Sequence, residues 1–222
     1  VIDNVILLGI WGVIVGLDMT SVGQTMISRP LVAATVAGVI AGDPASGLVV
    51  GVVLEFFALD VLPVGAARYP DYGLGAVAAV ATAAGTPSVL GTGLGVGVGL
   101  VIAYLGGVGT HLVRVLNGND VVRNSGLLDS GNRAAVNAVH MRGLLRDGVR
   151  AAFVTALGLL LAILLRNTVP ITLQGAVFLR IVVVGAAVSA LVSGAVRFSG
   201  RRVVMQWFVL GLVIGSLGVV AL

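Results

Sequence analysis

Cysteine and lysine are absent from this chain, glutamate occurs once, at Glu55, and charged residues of all kinds make up only 10% of its 222 positions. Without cysteine there are no disulfides, no thiolate metal sites and no covalent chemistry at sulfur. The two histidines, His111 and His140, sit in no HExxH pattern and near no carboxylate-rich spacing, so no metal site is expected. Neither GxGxxG nor GxxxxGK[ST] occurs, which argues against a nucleotide cofactor, and no cofactor of any kind is expected. Thirteen basic residues, all arginine, against nine acids would suggest nucleic acid in a soluble protein. Here no nucleic-acid partner is expected, because what replaces the missing charge is apolar: 58% hydrophobic residues, 33 glycines and a mean hydropathy of +1.13. Such a chain is a polytopic membrane protein, and its arginines read as topology.

A bilayer crossing takes about 20 apolar residues, so this length leaves room for about seven or eight membrane segments, some of them short, broken or re-entrant. The fold class expected is therefore all-α, with a cytoplasmic amphipathic helical segment added. Residues 4–17 form an apolar run that ends in a polar patch from Asp18 to Thr25. Irregular backbone at membrane depth survives where protein or a water-filled cavity satisfies it, so this patch lines a site or forms an interfacial loop. The N-terminus lacks the basic region and cleavage site of a signal peptide and is expected to be retained. Runs 30–42 and 46–60, separated by Gly42-Asp43-Pro44, suit a tight helical hairpin dipping into the membrane. Segments 73–84 and 88–109 read as two helices, and Gly91, Gly95 and Gly99 at spacing four allow close backbone approach.

Arg114, Arg123, Arg133, Arg142, Arg146 and Arg150 crowd the interval 111–150, which the positive-inside rule places in the cytoplasm. Arg142, Arg146 and Arg150 share one helical face, expected to rest on anionic headgroups of the lipid bilayer or on a partner protein. Apolar runs resume at 151–165, 169–196 and 203–222, with a basic loop at 197–202. The chain thus divides into a membrane half, 1–110, a basic segment, 111–150, and a second membrane half, 151–222.

An ionisable group at bilayer depth costs roughly 2.5–3.5 kcal/mol on insertion scales, so Glu55 is the first functional candidate. Asp71, after Pro70, suits a substrate contact or a helix-start acid. Gln24 offers both donor and acceptor to a polyol, and Arg68 is placed to neutralise Asp71 or Glu55. Phe56, Phe57, Tyr69 and Tyr72 flank these positions and offer ring faces or ordinary packing. Acids and amides of this kind suit a sugar, whose adjacent hydroxyls one carboxylate spans.

The stretch 29–71 carries Arg29-Pro30-Leu31-Val32, Gly42-Asp43, the Gly47, Gly51, Glu55 spacing, Ala58-Leu59, Gly65-Ala66-Ala67 and Pro70-Asp71. In these, and in Gly131-Asn132 through His140, the chain resembles the IIC membrane subunit of the mannose/fructose/sorbose family of bacterial phosphotransferase systems. The resemblance implies a permease component of the inner (plasma) membrane that carries a hexose inward with a IID membrane subunit, in an oligomer, while soluble IIA and IIB subunits relay phosphate. No phosphorylated or catalytic residue is expected in this chain. Glu55 and Asp71 become expected substrate contacts, with Gln24 and Arg68 beside them. Pro63 stands where the mannose type has asparagine, and Gly23 and Gln24 where it has acids, so the resemblance does not imply mannose. From the residues alone, a proton-coupled carrier in which Glu55 titrates, or a non-transporting membrane scaffold, remains an alternative.

Overall fold

The computed structural model describes residues 2–61, 67–84, 86, 88–168, 172–198 and 206. Among them every regular element is a helix: α1 (Ile2–Asp18), α2 (Pro30–Ala41), α3 (Pro44–Leu59), α4 (Tyr72–Ala83), α5 (Ser88–Arg123), α6 (Ser125–Asp129), α7 (Arg133–Thr168) and α8 (Leu173–Phe198). Three stretches, Leu90–Arg123, Arg133–Leu165 and Leu173–Gly194, are long and apolar enough to cross a bilayer, and α1 to α4 are shorter apolar helices. The expected all-α membrane fold, part full-length and part short, is what the chain adopts. Apart from residue 206, the run 203–222 lies outside the described residues, as do Pro63 and the loop residues 199–202, whereas Arg197 and Phe198 belong to α8.

Local chemistry sets the α2–α3 hairpin. Pro30 opens α2 without losing a needed donor, and Gly42 closes it in the left-handed region at φ 77°. The Asp43 carboxylate then accepts from the Ser46 amide at 3.1 Å and caps α3, whose first residue is Pro44. The two helices lie so close that a Cβ on Gly47 would stand 2.6 Å from the Ala34 carbonyl oxygen and 2.8 Å from the Gly38 Cα.

At the centre is α4, buried along almost its whole length. Its backbone meets α5 through small residues: a Cβ on Gly75 would lie 2.4 Å from the Gly99 carbonyl, and one on Gly95 would lie 2.6 Å from that of Ala79. The spacing-four glycines of α5 therefore do what the pattern predicts, since close approach replaces the hydrophobic drive that lipid cannot supply. On its other face α5 meets α8, where Gly93 sits against Leu179 and Arg180. Val15, Val50, Leu54, Val77 and Val80 fill the main core, and Leu74 and Ile102 a second cluster against α7.

The basic interval is carried by long helices. Its limits at 110/111 and 150/151 fall inside α5 and α7, each a continuous helix of 36 residues and so about 54 Å long, well beyond a hydrocarbon core of about 30 Å. Arg142, Arg146 and Arg150 do share a face, which runs from the exposed Arg142 to the buried Arg150 and meets acids of the neighbouring elements. Arg146 pairs with Asp120 of α5 at 2.8 Å, Arg142 lies 3.7 Å from the same acid, and Arg150 is buried. Acids on the neighbouring elements decide the matter, because an arginine that meets a fixed carboxylate no longer needs water or lipid phosphate.

Candidate functional site

The polar patch after α1 is an ordered loop built around one carboxylate. Asp18, only 3% exposed, accepts from the Thr25 amide at 2.6 Å, the Thr25 hydroxyl at 2.8 Å and the Ser28 amide at 3.0 Å. The turn this imposes carries Gly23 at φ 82° and, less usually, Gln24 at φ 50° and Met26 at φ 66°. Left-handed backbone at non-glycine residues is costly and concentrates where a structure holds a site.

Beside the loop lies a cavity of about 650 Å³, within the range of small-molecule sites. One wall is the loop itself, through Asp18, Thr20, Ser21, Gln24, Ser28 and Arg29. Thr110, Arg114 and Asn117 of α5, Asp147 of α7 and Tyr69 form the rest of its polar lining. A smaller space of about 160 Å³ adjoins it across Arg29, Met19 and Tyr69 and reaches Tyr72.

Beneath the cavity, Arg150 gathers three elements. Its Nε donates to Asp147 at 2.6 Å, one terminal nitrogen donates to Asp71 at 2.7 Å, and the other donates to the Gly16 carbonyl at 2.9 Å. Asp147 in turn accepts from the Thr20 and Ser21 hydroxyls, the former at 3.0 Å. Two carboxylates thus share one guanidinium, a buried group of net charge −1 whose outer oxygen holds the cavity loop in place. Such a group is stable only while every member keeps its partners.

The four residues singled out from sequence occupy different positions around this site. Gln24 lines the cavity and donates to the Thr20 carbonyl at 3.2 Å. Glu55 stands one residue behind the wall: it pairs with Arg29, and its second oxygen accepts from the Leu31 amide at 3.2 Å in the first turn of α2. The hairpin explains this, because it sets α3 beside the start of α2. Asp71 is fully buried, caps α4 through the Leu74 amide at 3.2 Å and reaches the cavity only through Arg150 and Asp147. Arg68 is exposed on the segment before Tyr69 and pairs with neither acid; Arg29 and Arg150 take that part instead. Of the aromatic candidates, Tyr69 lines the cavity under the Arg114 guanidinium.

Sequence reasoning missed Asp147 and Arg150. Their i, i+3 spacing was visible, but within a run of arginines it read as one surface stripe. The only distinguishing sign was an acid set inside that stripe.

Short apolar helices packed on long ones, beside a partly open cavity with many polar side chains in its wall, define a multi-pass membrane protein with a candidate site for a polar ligand. The chain belongs to the family described as the sorbose-specific IIC component of the phosphotransferase system, whose model matches residues 2–217. It is 29% identical over 124 residues to the mannose-specific EIIC component of Escherichia coli K12, covering 56% of this chain and 46% of that protein. Identity is 38% over 71 residues with the sorbose-specific EIIC component of Lacticaseibacillus casei, covering 32% of this chain and 25% of that protein. With the fructose permease IIC component of Bacillus subtilis it is 29% over 161 residues, covering 72% and 58%. The chain thus spans about half the length of the first of these curated relatives.

Two solved structures share the fold. One, described as a membrane protein, superposes with a TM-score of 0.68 at 24% identity over 98% of this chain and 91% of its own. The other is the mannose transporter ManYZ in complex with microcin E492, with a TM-score of 0.60 at 23% identity over 100% and 92%. The resemblance seen in residues 29–71 is therefore one of family, and the chain is a multi-pass protein of the bacterial plasma membrane.

Proposed function

We propose that this chain is the sugar-translocating IIC subunit of a phosphoenolpyruvate-dependent phosphotransferase system, holding a hexose in the cavity of about 650 Å³ and releasing it inward for phosphorylation by a IIB partner. The observation that carries the reading is the cavity's lining. In a chain with 10% charged residues, carboxylates, guanidiniums, amides and hydroxyls converge on one space, a concentration of hydrogen-bonding groups that suits a sugar. Gln24, Arg29 and Asn117 are the proposed contacts, with Tyr69 as the ring beneath. Glu55 acts through Arg29, and Asp71 through Arg150 and Asp147. Arg68 has no assigned contact.

The cavity touches α5 at residues 110–117, near the end that leads to α6, and the arginines of 111–150 mark that end as cytoplasmic. A sugar held there is within reach of a soluble phosphodonor. The division of labour implied by the family extends to a IID membrane subunit, soluble IIA and IIB proteins and an oligomeric assembly. Trapping by phosphorylation supplies the driving force, so the membrane chain needs no ion site of its own.

Membrane vesicles containing this chain with IIA, IIB and IID proteins, together with the soluble phosphotransfer proteins that load IIA from phosphoenolpyruvate, test the reading. Labelled hexose is expected to accumulate as its phosphate when phosphoenolpyruvate is supplied and to be indifferent to an uncoupler. Uptake that persists without phosphoenolpyruvate and collapses with the uncoupler would replace it with proton-coupled transport.

A further inference from the structure

Among the described residues that line or underlie the cavity, Arg114 is the one cation without a carboxylate partner. Arg29 pairs with Glu55, Arg150 is shared by Asp71 and Asp147, and the Asp18 carboxylate is taken up by Thr25 and Ser28. Arg114, half-buried and facing the same space, has no carboxylate within ion-pair distance among the described residues. One of its nitrogens donates to the Ala67 carbonyl at 3.0 Å and another to the Tyr69 hydroxyl. A guanidinium has five N–H donors, so three remain uncommitted. Its Cζ lies 4.8 Å from the centre of the Tyr69 ring, and that stacking fixes the plane of the fork.

We propose that Arg114, held on Tyr69, receives a phosphoryl group, so that the cavity binds a phosphorylated sugar more tightly than the free one. The inference rests on the reading of the cavity as a sugar site and deepens it. A neutral sugar needs donors and acceptors but no net charge, whereas a pre-oriented guanidinium with uncommitted N–H donors makes its strongest bonds to an anion. A phosphate's oxygens match the planar fork in a way that a single hydroxyl does not. The two acids in the wall do not block this arrangement. Asp18 and Asp147 are 3% and 1% exposed, with their oxygens turned to Thr25, Ser28, Arg150, Thr20 and Ser21. Arg114 is thus left facing the cavity beside Gln24, Arg29 and Asn117.

The test uses the whole chain purified in lauryldimethylamine oxide, a detergent with neither sugar nor phosphate. Calorimetric titrations compare mannose with mannose 6-phosphate, fructose with fructose 1-phosphate, and inorganic phosphate alone. The phosphate ester of whichever sugar binds is expected to bind about tenfold tighter or better, as one charge-assisted contact implies. Added salt should narrow the gap. In Arg114→Gln the ratio of the two affinities should collapse toward one, and in Arg114→Lys part of it should survive, because charge remains while the fork is lost. The wild-type comparison decides alone if either variant fails to fold.

Equal or weaker binding of the ester, with the free sugar bound, would overturn the inference and leave the sugar site standing. Ester binding without free-sugar binding would support the anion site and count against translocation of the free sugar. Binding of neither would overturn both. Nanodiscs separate the two sources of phosphate. Ester binding that survives in phosphatidylglycerol supports a sugar-phosphate site, whereas loss there but not in phosphatidylcholine would overturn that assignment and give Arg114 to a lipid headgroup.

Discussion

Replacing Arg150 with methionine tests the charge group beneath the cavity. The substitution keeps much of the side-chain length and removes every bond to Asp71, Asp147 and the Gly16 carbonyl. Breaking a buried ion pair from one side costs about 3–5 kcal/mol, chiefly because the abandoned charge stays buried. Here two carboxylates, 0% and 1% exposed, are abandoned together, so the upper end applies. For a chain of this size each kcal/mol moves the melting temperature by about 2–4 °C, which gives a fall of about 10–20 °C for Arg150→Met. Asp147→Asn is the informative companion. It leaves the Arg150–Asp71 pair at 2.7 Å intact and electrically balanced, and keeps one oxygen as acceptor, so its cost is about 1–3 kcal/mol. The combination of Asp71→Asn, Asp147→Asn and Arg150→Met removes all three charges and should recover most of the loss. Melting followed by size-exclusion chromatography of heated, detergent-purified samples gives the order. Arg150→Met melting at or above Asp147→Asn would refute the shared-guanidinium account.

Other outcomes follow from single contacts. Glu55→Gln keeps the volume but frees Arg29, and should weaken sugar binding about tenfold or more while membrane insertion is unchanged; calorimetry on the purified variant checks it. Gly47→Ala drives a methyl against the Ala34 carbonyl and should cost about 1–3 kcal/mol, seen as a lower melting temperature. Gly118→Ala in α5 meets nothing within 4 Å and should be neutral or stabilising by up to about 1 kcal/mol in the same assay. Arg142→Ala, 46% exposed and 3.7 Å from Asp120, should cost under about 1 kcal/mol. Arg146→Ala should cost more, since it also loses the Asn117 side chain at 3.0 Å.

What the sequence disclosed followed the range of the interactions involved. Pro30, Gly42, Asp43 and Pro44 act within a few residues of themselves, so the hairpin and its limits were readable to within two residues. The small-residue spacing of α5 was equally local, and the polar patch at 18–25 stood out against the apolar run before it as a site lining or an interfacial loop. Partners distant in the chain were not readable. Glu55 was picked out by its isolation, yet its mate is Arg29, 26 positions away, rather than Arg68. Asp71 finds Arg150 across 79 positions and Arg150 finds Gly16 across 134. Charge periodicity in α7 gave the correct face and the wrong environment, because a helical wheel carries no information on what packs against it.

The absence of cysteine makes the central claim directly measurable, since a single introduced thiol is the only one in the chain. Gln24→Cys, in the cavity wall, and Val122→Cys, 73% exposed on α5, can each be labelled with a small maleimide in membranes. A transported hexose should slow labelling at position 24 in proportion to its occupancy and leave position 122 unaffected. Labelling at position 24 that is indifferent to saturating sugar, in vesicles that demonstrably take the sugar up, would contradict the placement of the substrate in this cavity.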